Sequence, residues 1–204
     1  MTTRPDLHFY FDFISPYGFF AALRIDDLAS AFGRSVQWHP MLLGVSVMKV
    51  MGLKPLLDTP LKGPYTRHDV MRYARLHGIP LGREPGVAAM SPLACGRALA
   101  WARHHHPQHA KQLARDMLNA YWLRGMDLST PSAIASLALP GSLSTAELNQ
   151  ALQGEEAAKL LREEVQQSID AGVFGSPTVI VDGELFWGID KFDQIQRWLE
   201  TGGW

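Results

Sequence analysis

Hydrophobic and polar residues alternate near the start of the chain, over residues 7–13. The apolar set is Leu7, Phe9, Phe11 and Phe13, and the set between them is His8, Tyr10 and Asp12. A period of two is typical of a β-strand whose two faces meet different surroundings. Ser15 and Pro16 follow, a hydroxyl residue suited to a helix N-cap and a proline suited to the first helical position. The pattern predicts a strand that leads through Ser15 into a helix extending to about Phe32, and it assigns no chemistry to His8 or Asp12.

A second short strand is predicted at residues 35–39, where the sequence Ser-Val-Gln-Trp-His is ended by Pro40. A strand, a helix and a second strand of this length form a βαβ unit, so the two strands should be parallel. Residues 41–63 contain scattered glycine and proline without a clear period. That composition predicts an irregular segment with one or two short helical turns.

The middle of the chain has the spacing of amphipathic helices. Apolar residues recur at helical intervals around residues 70–77, 93–103, 113–121 and 161–169. Ser144 with Glu147 three residues later forms a capping box, which predicts the start of another short helix. Gly172 suits the C′ position that ends the last of these helices.

The end of the chain returns to β-structure. Thr178–Val181 is apolar and β-branched, Asp182-Gly183 is a strong hairpin signal, and Glu184–Trp187 should return antiparallel. Asp190 is then predicted to cap a last helix that ends near Gly202. The first two and the last two strands can complete one sheet. The chain is therefore predicted to be an α/β protein whose sheet is interrupted by a helical block.

Composition and charge limit the classes of function. The 204 residues are 47% hydrophobic and 19% charged, as in an ordinary soluble globular protein. A net charge of −1 provides no positive electrostatic field that would attract nucleic acid or an anionic membrane, so neither partner is expected. No apolar run approaches the roughly 18 residues that span a bilayer, and the polar start of the chain lacks the features of a signal peptide. The single cysteine, Cys95, excludes an intrachain disulfide and a CxxC centre. Together these properties indicate a cytosolic protein.

No metal site is predicted. His104, His105 and His106 are adjacent at a predicted helix end, so their side chains point in different directions and lack the spacing of metal ligands. Cys95 lies among small apolar residues, and we expect it to be buried rather than nucleophilic.

Three segments of the chain, in this order, resemble one protein family. They read FYFDFISPYGFFA near the start, LKGPYTRHDVMRYARLHGIPLG in the middle and GVFGSPTVIVDGELFWGIDKFDQI at the end. The order resembles the DsbA-like group of thioredoxin folds, except that Ser15 stands where that group has the first cysteine of a CxxC. This replacement resembles the kappa-class glutathione transferases and their bacterial relatives, the 2-hydroxychromene-2-carboxylate isomerases. The resemblance implies a thioredoxin-like domain of residues 1–42 and 171–204, with a large all-helical insertion of residues 43–170.

The resemblance also implies a glutathione site. Ser15 would hydrogen-bond the sulfur of glutathione and favour its thiolate, and Lys62 would be an anion contact. Pro177 would be a cis-proline that leaves the backbone of Ser176 to pair with the tripeptide. The γ-glutamyl end would lie against four consecutive residues, Trp187, Gly188, Ile189 and Asp190, with the carboxylate of the last one on its ammonium group.

Each of these residues also has an ordinary structural interpretation. Ser15 and Asp190 can serve only as helix N-caps. The bond between Ser176 and Pro177 can be trans, as most such bonds are. Lys62 can be a solvated surface lysine. The sequence leaves both interpretations open.

The part of the site that would hold a second substrate departs from the family pattern. Leu53 and Met90 stand where the relatives often have asparagine, and Ile189 stands where asparagine or serine is usual. Leu53, Met90, the neighbouring Ser91 and Tyr17 are the candidates for contact with the substrate.

The resemblance implies a glutathione-dependent cis-trans isomerase of the 2-hydroxychromene-2-carboxylate type, acting on an aromatic or unsaturated 2-oxo acid. The thiolate of bound glutathione would add reversibly to that acid. Two alternatives stay open. One is a kappa-class glutathione transferase or peroxidase, and the other is a non-catalytic DsbA-like protein that binds a thiol or a peptide. The family further implies a homodimer.

Overall fold

A computed structural model of the chain describes residues 6–204, which contain a four-stranded sheet. The strands are β1 (Leu7–Phe11), β2 (Val36–Pro40), β3 (Thr178–Val181) and β4 (Glu184–Trp187), in the order β2-β1-β3-β4. β1 is parallel to β2 and antiparallel to β3, and β3 is antiparallel to β4. The predicted parallel pair and the hairpin are confirmed. The first five residues, on which the expectation of no signal peptide mainly rests, lie outside the described residues.

The rest of the regular structure in the described residues is helical. The α-helices are α1 (Pro16–Ala22), α2 (Ile25–Ala31), α3 (Lys62–Leu76), α4 (Leu93–His105), α5 (Pro107–Trp122), α6 (Pro131–Ala135), α7 (Thr145–Gln153), α8 (Glu155–Asp170) and α9 (Phe192–Thr201). A π-helix at Gly44–Val50 and a 3₁₀ turn at Leu56–Asp58 confirm the irregular segment predicted for residues 41–63. Among residues 6–204, no helix combines the length and the apolar character needed to cross a membrane.

Two helix predictions differ from the structure. The first helix does not continue to Phe32 but is broken after Ala22, where the Arg24 amide bonds to the Ala21 carbonyl three residues back. α6 was not predicted, because it is only five residues long and its sequence signals are confined to the cap at Thr130 and the proline that follows it. The helix start at Ser144 is confirmed, since its hydroxyl accepts a hydrogen bond from the amide three residues on. The Glu147 side chain does not complete the capping box, because its carboxylate lies 3.0 Å from Nε2 of His106.

Buried aromatic residues hold the end of β1 in place. Phe9 and Phe11 are fully buried, and both rings meet the ring of Trp38 edge-on, at 5.1 and 5.4 Å between centroids. Burying a side chain of this size stabilises the fold by about 1.5–3 kcal/mol. From α5, Trp122 donates from Nε1 to the carbonyl of Phe13 at 3.0 Å. The helical block therefore fixes the turn that follows the strand.

A network of polar side chains also joins the helical block to the sheet. Glu164 of α8 pairs with Arg103 of α4 and lies 3.2 Å from Nδ1 of His39 in β2. Burial lowers the pKa of His39. Burial alone would raise the pKa of Glu164, but the bond to His39 and the charge of Arg103 leave it below its ordinary value.

The division of the chain into a thioredoxin-like domain of residues 1–42 and 171–204, and a helical insertion of residues 43–170, stays a prediction.

Candidate active site

Ser15 lies in the turn between β1 and α1 and is the N-cap of α1. Its Oγ accepts a hydrogen bond from the Gly18 amide at 3.0 Å, so the capping interpretation is confirmed. The same hydroxyl donates to the carbonyl of Ser176 at 3.1 Å. Ser15 is therefore more than a local cap, because it also joins α1 to the loop that precedes β3.

The loop before β3 is shaped around the bond between Ser176 and Pro177, which is cis, as the resemblance implied. The hydroxyl of Ser176 accepts a hydrogen bond from the Asp12 amide at 3.0 Å. Gly18 makes room for this arrangement, since a Cβ at that position would lie 2.6 Å from the Ser176 hydroxyl oxygen. The loop before β3 and the turn after β1 thus converge on the start of α1.

The turn after β4 is connected to the same loop. The Gly188 amide donates to the Pro177 carbonyl at 3.0 Å. Gly188 has a φ of +112°, and a Cβ there would lie 2.4 Å from Oδ1 of Asp190. Only glycine satisfies both conditions without strain. The following 3₁₀ turn, Ile189–Lys191, packs against α1, so it lies beside the helix that Ser15 begins.

Asp190 does not cap the last helix, which corrects the prediction made from its position. α9 begins at Phe192 after an N-cap at Lys191 that makes no side-chain capping bond, and Asp190 lies inside the preceding turn. The side chain of Asp190 is 71% exposed, and Oδ2 is 2.8 Å from Nζ of Lys191. Capping therefore does not explain this carboxylate, which lies exposed at the surface with the ammonium group of Lys191 as its neighbour.

The aromatic side chain of Trp187 lies next to this turn. The side chain is 51% exposed, and its ring meets that of Phe174 at 4.9 Å between centroids. Gly175 lies directly against the indole, since a Cβ there would be 2.3 Å from Nε1. The predicted residues from Ser176 to Asp190 are therefore brought together on the surface next to α1.

Tyr17 links α1 to α3. Its hydroxyl donates to Oδ2 of Asp69 at 2.7 Å. Burial, together with this bond to a carboxylate, raises the pKa of Tyr17. Burial alone would raise the pKa of Asp69, but hydrogen bonds from Tyr17 and from Arg72 lower it overall. This pair could not be predicted from local sequence patterns, because its two members are 52 residues apart.

Changing Tyr17 to phenylalanine should lower the free energy of unfolding by about 1.5–3 kcal/mol, because a short hydrogen bond to a charged group is lost. The matched control is Tyr65→Phe, which removes a longer contact of 3.5 Å to the same carboxylate from an exposed ring. That variant should lose less than about 0.5 kcal/mol. Urea denaturation of both variants measures the difference. Equal losses would show that the Tyr17 bond does not join the two helices.

Lys62 and Leu53 belong to the irregular segment and to the start of the helix that follows it. Lys62 is the first residue of α3 and is exposed. Leu53 is 53% exposed, and its amide donates to the Val47 carbonyl at 3.0 Å. Both side chains are accessible to a ligand, and their assignment to glutathione and to the substrate, respectively, stays a prediction.

Met90 and Ser91 lie in the loop that precedes α4, but their side chains have different surroundings. Met90 is only 5% exposed, and its sulfur accepts a hydrogen bond from the Leu128 amide. Ser91 is exposed, and its amide donates to the hydroxyl of Ser129 at 3.1 Å. The burial of Met90 argues against direct contact between its side chain and a substrate, whereas Ser91 is accessible.

Two of the three adjacent histidines have carboxylate partners at the surface. His105 lies 3.1 Å from Glu156, and His106 lies 3.0 Å from Glu147. Cys95 is fully buried, as predicted, and burial raises the pKa of its thiol. Neither feature lies among the residues that converge on Ser15.

Comparisons with known proteins agree with the resemblance. The chain matches the DSBA-like thioredoxin domain over residues 6–200. It is 27% identical over 198 residues to the 2-hydroxychromene-2-carboxylate isomerase of Pseudomonas putida, covering 92% of this chain and 91% of that protein. It is 25% identical over 211 residues to glutathione S-transferase kappa 1 of Caenorhabditis elegans, covering 98% and 93%.

A solved structure of a 2-hydroxychromene-2-carboxylate isomerase superposes on the chain with a TM-score of 0.78 at 24% identity. The superposition covers 96% of this chain and 95% of that one. Together with the domain match, this similarity confirms the predicted α/β class and the DsbA-like thioredoxin fold.

Proposed function

The chain belongs to the family of DSBA-like thioredoxin domains, and from this premise we propose that it binds glutathione at Ser15. We propose that it acts as a glutathione-dependent cis-trans isomerase of the 2-hydroxychromene-2-carboxylate type. Its relatives include such isomerases and kappa-class glutathione transferases, which supports an enzymatic role. The observation that carries the proposal is the hydrogen bond between the Ser15 hydroxyl and the Ser176 carbonyl, beside the cis bond to Pro177.

The groups that we assign to the ligand suit a charged tripeptide. The exposed carboxylate of Asp190 can bind the ammonium group of a γ-glutamyl residue, and the exposed Lys62 can bind a carboxylate. The backbone of Ser176 can pair with an extended peptide in the manner of an added strand. These groups match the charges and the extended backbone of glutathione.

Ser15 would change its hydrogen-bond partner when the ligand binds. In the structure its hydroxyl donates a hydrogen bond to the Ser176 carbonyl. The cysteinyl amide of the ligand can bond to that carbonyl instead, which frees the hydroxyl to donate to the sulfur. A hydrogen bond to a charged group is worth about 1.5–3 kcal/mol and favours the thiolate. The Gly18 amide would still hold the Ser15 oxygen in place.

When bound, glutathione supplies a sulfur that adds to the double bond of a 2-oxo acid, with the π electrons moving to the oxo group, and that leaves after rotation about the resulting single bond. The residues of the chain would bind and orient both molecules. Ser15 would keep the sulfur unprotonated, and Asp190 and Lys62 would hold the ends of the tripeptide. Because the addition is reversed within the cycle, no residue has to supply a net proton.

The consumption of glutathione distinguishes this function from its alternatives. We would incubate the protein with 2-hydroxychromene-2-carboxylate and substoichiometric glutathione, and measure both the isomer ratio and the free thiol. Many turnovers per glutathione with an unchanged thiol concentration are expected. Loss of thiol in step with product would favour the kappa-class transferase or peroxidase activity suggested by the second group of relatives. Binding without any turnover would favour a non-catalytic thiol-binding protein.

A homodimer, a cytoplasmic location and a role in the breakdown of aromatic compounds remain proposals that follow from the same family. The dimer is the one that the purified protein can test. Sedimentation velocity should give twice the mass of one chain, and a monomer at the concentrations used for activity would contradict it.

A further inference from the structure

Asp12 is a buried carboxylate in the turn between β1 and Ser15. Its side chain is completely inaccessible to solvent. Oδ1 accepts a hydrogen bond from the Ile14 amide at 3.1 Å, and Oδ2 accepts one from the Leu43 amide at 2.8 Å. No ion pair to this carboxylate occurs in residues 6–204. Asp12 is therefore a buried charge held only by two backbone amides.

The two amides belong to different parts of the candidate site. Ile14 is the residue before Ser15, so Oδ1 shapes the turn that delivers the serine hydroxyl. Leu43 is the residue before the π-helix Gly44–Val50, which opens the exposed segment containing Leu53. One carboxylate thus joins the side of the site that would bind glutathione to the side that would face a second substrate.

The two hydrogen bonds to Asp12 depend on its ionisation. Burying an ionised carboxylate without a cation costs free energy, which only its hydrogen bonds offset. An ionised carboxylate accepts at both oxygens, whereas a protonated one places an O–H group against one of the two amide donors. The ionised form is therefore the one that holds both segments at once.

We propose that Asp12 is a positioning residue, and that the site binds glutathione well only while its ionised carboxylate holds the Ser15 turn and the segment after Leu43 together. This inference rests on the proposed function, since it names glutathione as the ligand. It predicts that binding and ionisation of Asp12 are coupled.

The coupling falls within an accessible range of pH. Burial raises the pKa of Asp12 from 3.8 to about 6, although the bonds from the Leu43 and Ile14 amides lower it in part. The ionised form predominates above that value, so the affinity for glutathione should fall as the pH falls through about 6. Because the ligand favours the ionised form, its binding should lower the pKa of Asp12.

Two other titratable groups interact electrostatically with Asp12. Cys95 from α4 and Tyr121 from α5 interact with it electrostatically, and burial raises the pKa of both above their ordinary values. They stay neutral at neutral pH. On β1 and β2, His8 and His39 are hydrogen-bonded to each other, at 3.0 Å between Nδ1 and Nε2. An acid-induced loss of affinity that arises from any group other than Asp12 would persist in a variant that lacks the Asp12 carboxylate.

The test is calorimetric titration with S-methylglutathione, which has no thiol to ionise, at about pH 7.5 and about pH 5. Wild-type affinity should fall about tenfold between these two values. Asp12→Asn keeps the shape but can accept only one of the two amides. Its affinity should match the reduced wild-type value at both pH values. The control is Asp127→Asn, which changes an exposed aspartate that likewise accepts the amide two residues on, from Ser129.

Two results would overturn the role of Asp12. One is an Asp12→Asn variant that binds like wild type at about pH 7.5, and the other is an acid-induced loss of affinity that persists in this variant. If wild type binds neither glutathione nor S-methylglutathione at about pH 7.5, the proposed function fails, and the role of Asp12 fails with it.

A second measurement does not depend on the folding of any variant. Carbon-detected NMR of wild type, labelled at the aspartate carboxyl carbons, can follow the titration of Asp12 with and without saturating S-methylglutathione. The pKa of Asp12 should be lower in the complex than in the free protein. The same pKa in both states would contradict the proposal.

Discussion

Replacing Ser15 with alanine is expected to reduce glutathione-dependent turnover by about a hundredfold, the effect typical of losing one preorganised donor to a developing or stabilised anion. The change removes the hydroxyl that caps α1 and bonds to the Ser176 carbonyl. The pKa of the bound thiol should also rise by about 1 to 2, which corresponds to one charge-assisted hydrogen bond. Initial rates and the thiolate absorbance, followed against pH, measure these two effects.

The matched control for this variant is Ser144→Ala. Ser144 caps α7 by accepting from the Glu147 amide at 3.0 Å, the same distance at which Ser15 accepts from Gly18. Each substitution should cost about 1 kcal/mol of stability through loss of the cap. Only the change at Ser15 should reduce turnover. Equal turnover in the two variants would mean that Ser15 serves only as a cap.

Changing Ser15 to cysteine tests where the sulfur of the ligand lies. A thiol at the start of α1 should attack oxidised glutathione, form a mixed disulfide and release one glutathione thiolate. Wild type is the control, because its one cysteine, Cys95, is buried. Mass spectrometry should detect one adduct in the variant and none in wild type. A variant that forms no adduct, although folded, would place the sulfur elsewhere.

Replacing Asp190 with alanine should weaken glutathione binding between about tenfold and a hundredfold, with little change in stability. The side chain caps no helix, so the fold loses little when it is removed. A ligand that covers it would lose one charge-assisted hydrogen bond, worth about 1.5–3 kcal/mol. The maximal rate at saturating glutathione should change much less than the affinity, because Asp190 is assigned to an end of the tripeptide far from the reacting sulfur.

The control for Asp190 lies three residues further on. Asp193 is an exposed acidic residue in the first turn of α9. Asp193→Ala removes the same net charge from the same region of the surface without touching the turn that contains Asp190. If both variants bind glutathione with the same reduced affinity, the effect is one of general charge and not of a specific contact.

Features that depend on neighbouring residues could be predicted from the sequence. The alternation in β1, the cap at Ser15 and the hairpin at Asp182-Gly183 are local signals, since each depends on a side-chain period or a turn within a few residues. All three occur in the structure. The role of Asp190 as a cap was wrong because the helix begins two residues later, after a 3₁₀ turn that has no distinct sequence signal.

Features that depend on distant parts of the chain could not be predicted in this way. Asp12 was recognisable only as a polar residue in a strand, because its partners Leu43 and Ser176 are 31 and 164 residues away. Met90 was assigned to the substrate from its place in a motif, yet its sulfur is turned toward Leu128 in the core. Which way such a loop residue points is decided by tertiary packing and not by its neighbours in sequence.

The most direct test of the account is calorimetric titration of glutathione into the wild-type protein at neutral pH, in two buffers with different ionisation enthalpies. We expect saturable binding with the release of about one proton per site, because a thiol of ordinary pKa near 8.5 is bound as its thiolate. S-methylglutathione should bind without releasing that proton. No saturable binding at millimolar glutathione, or binding without proton release, would contradict the assignment of a thiolate site to Ser15.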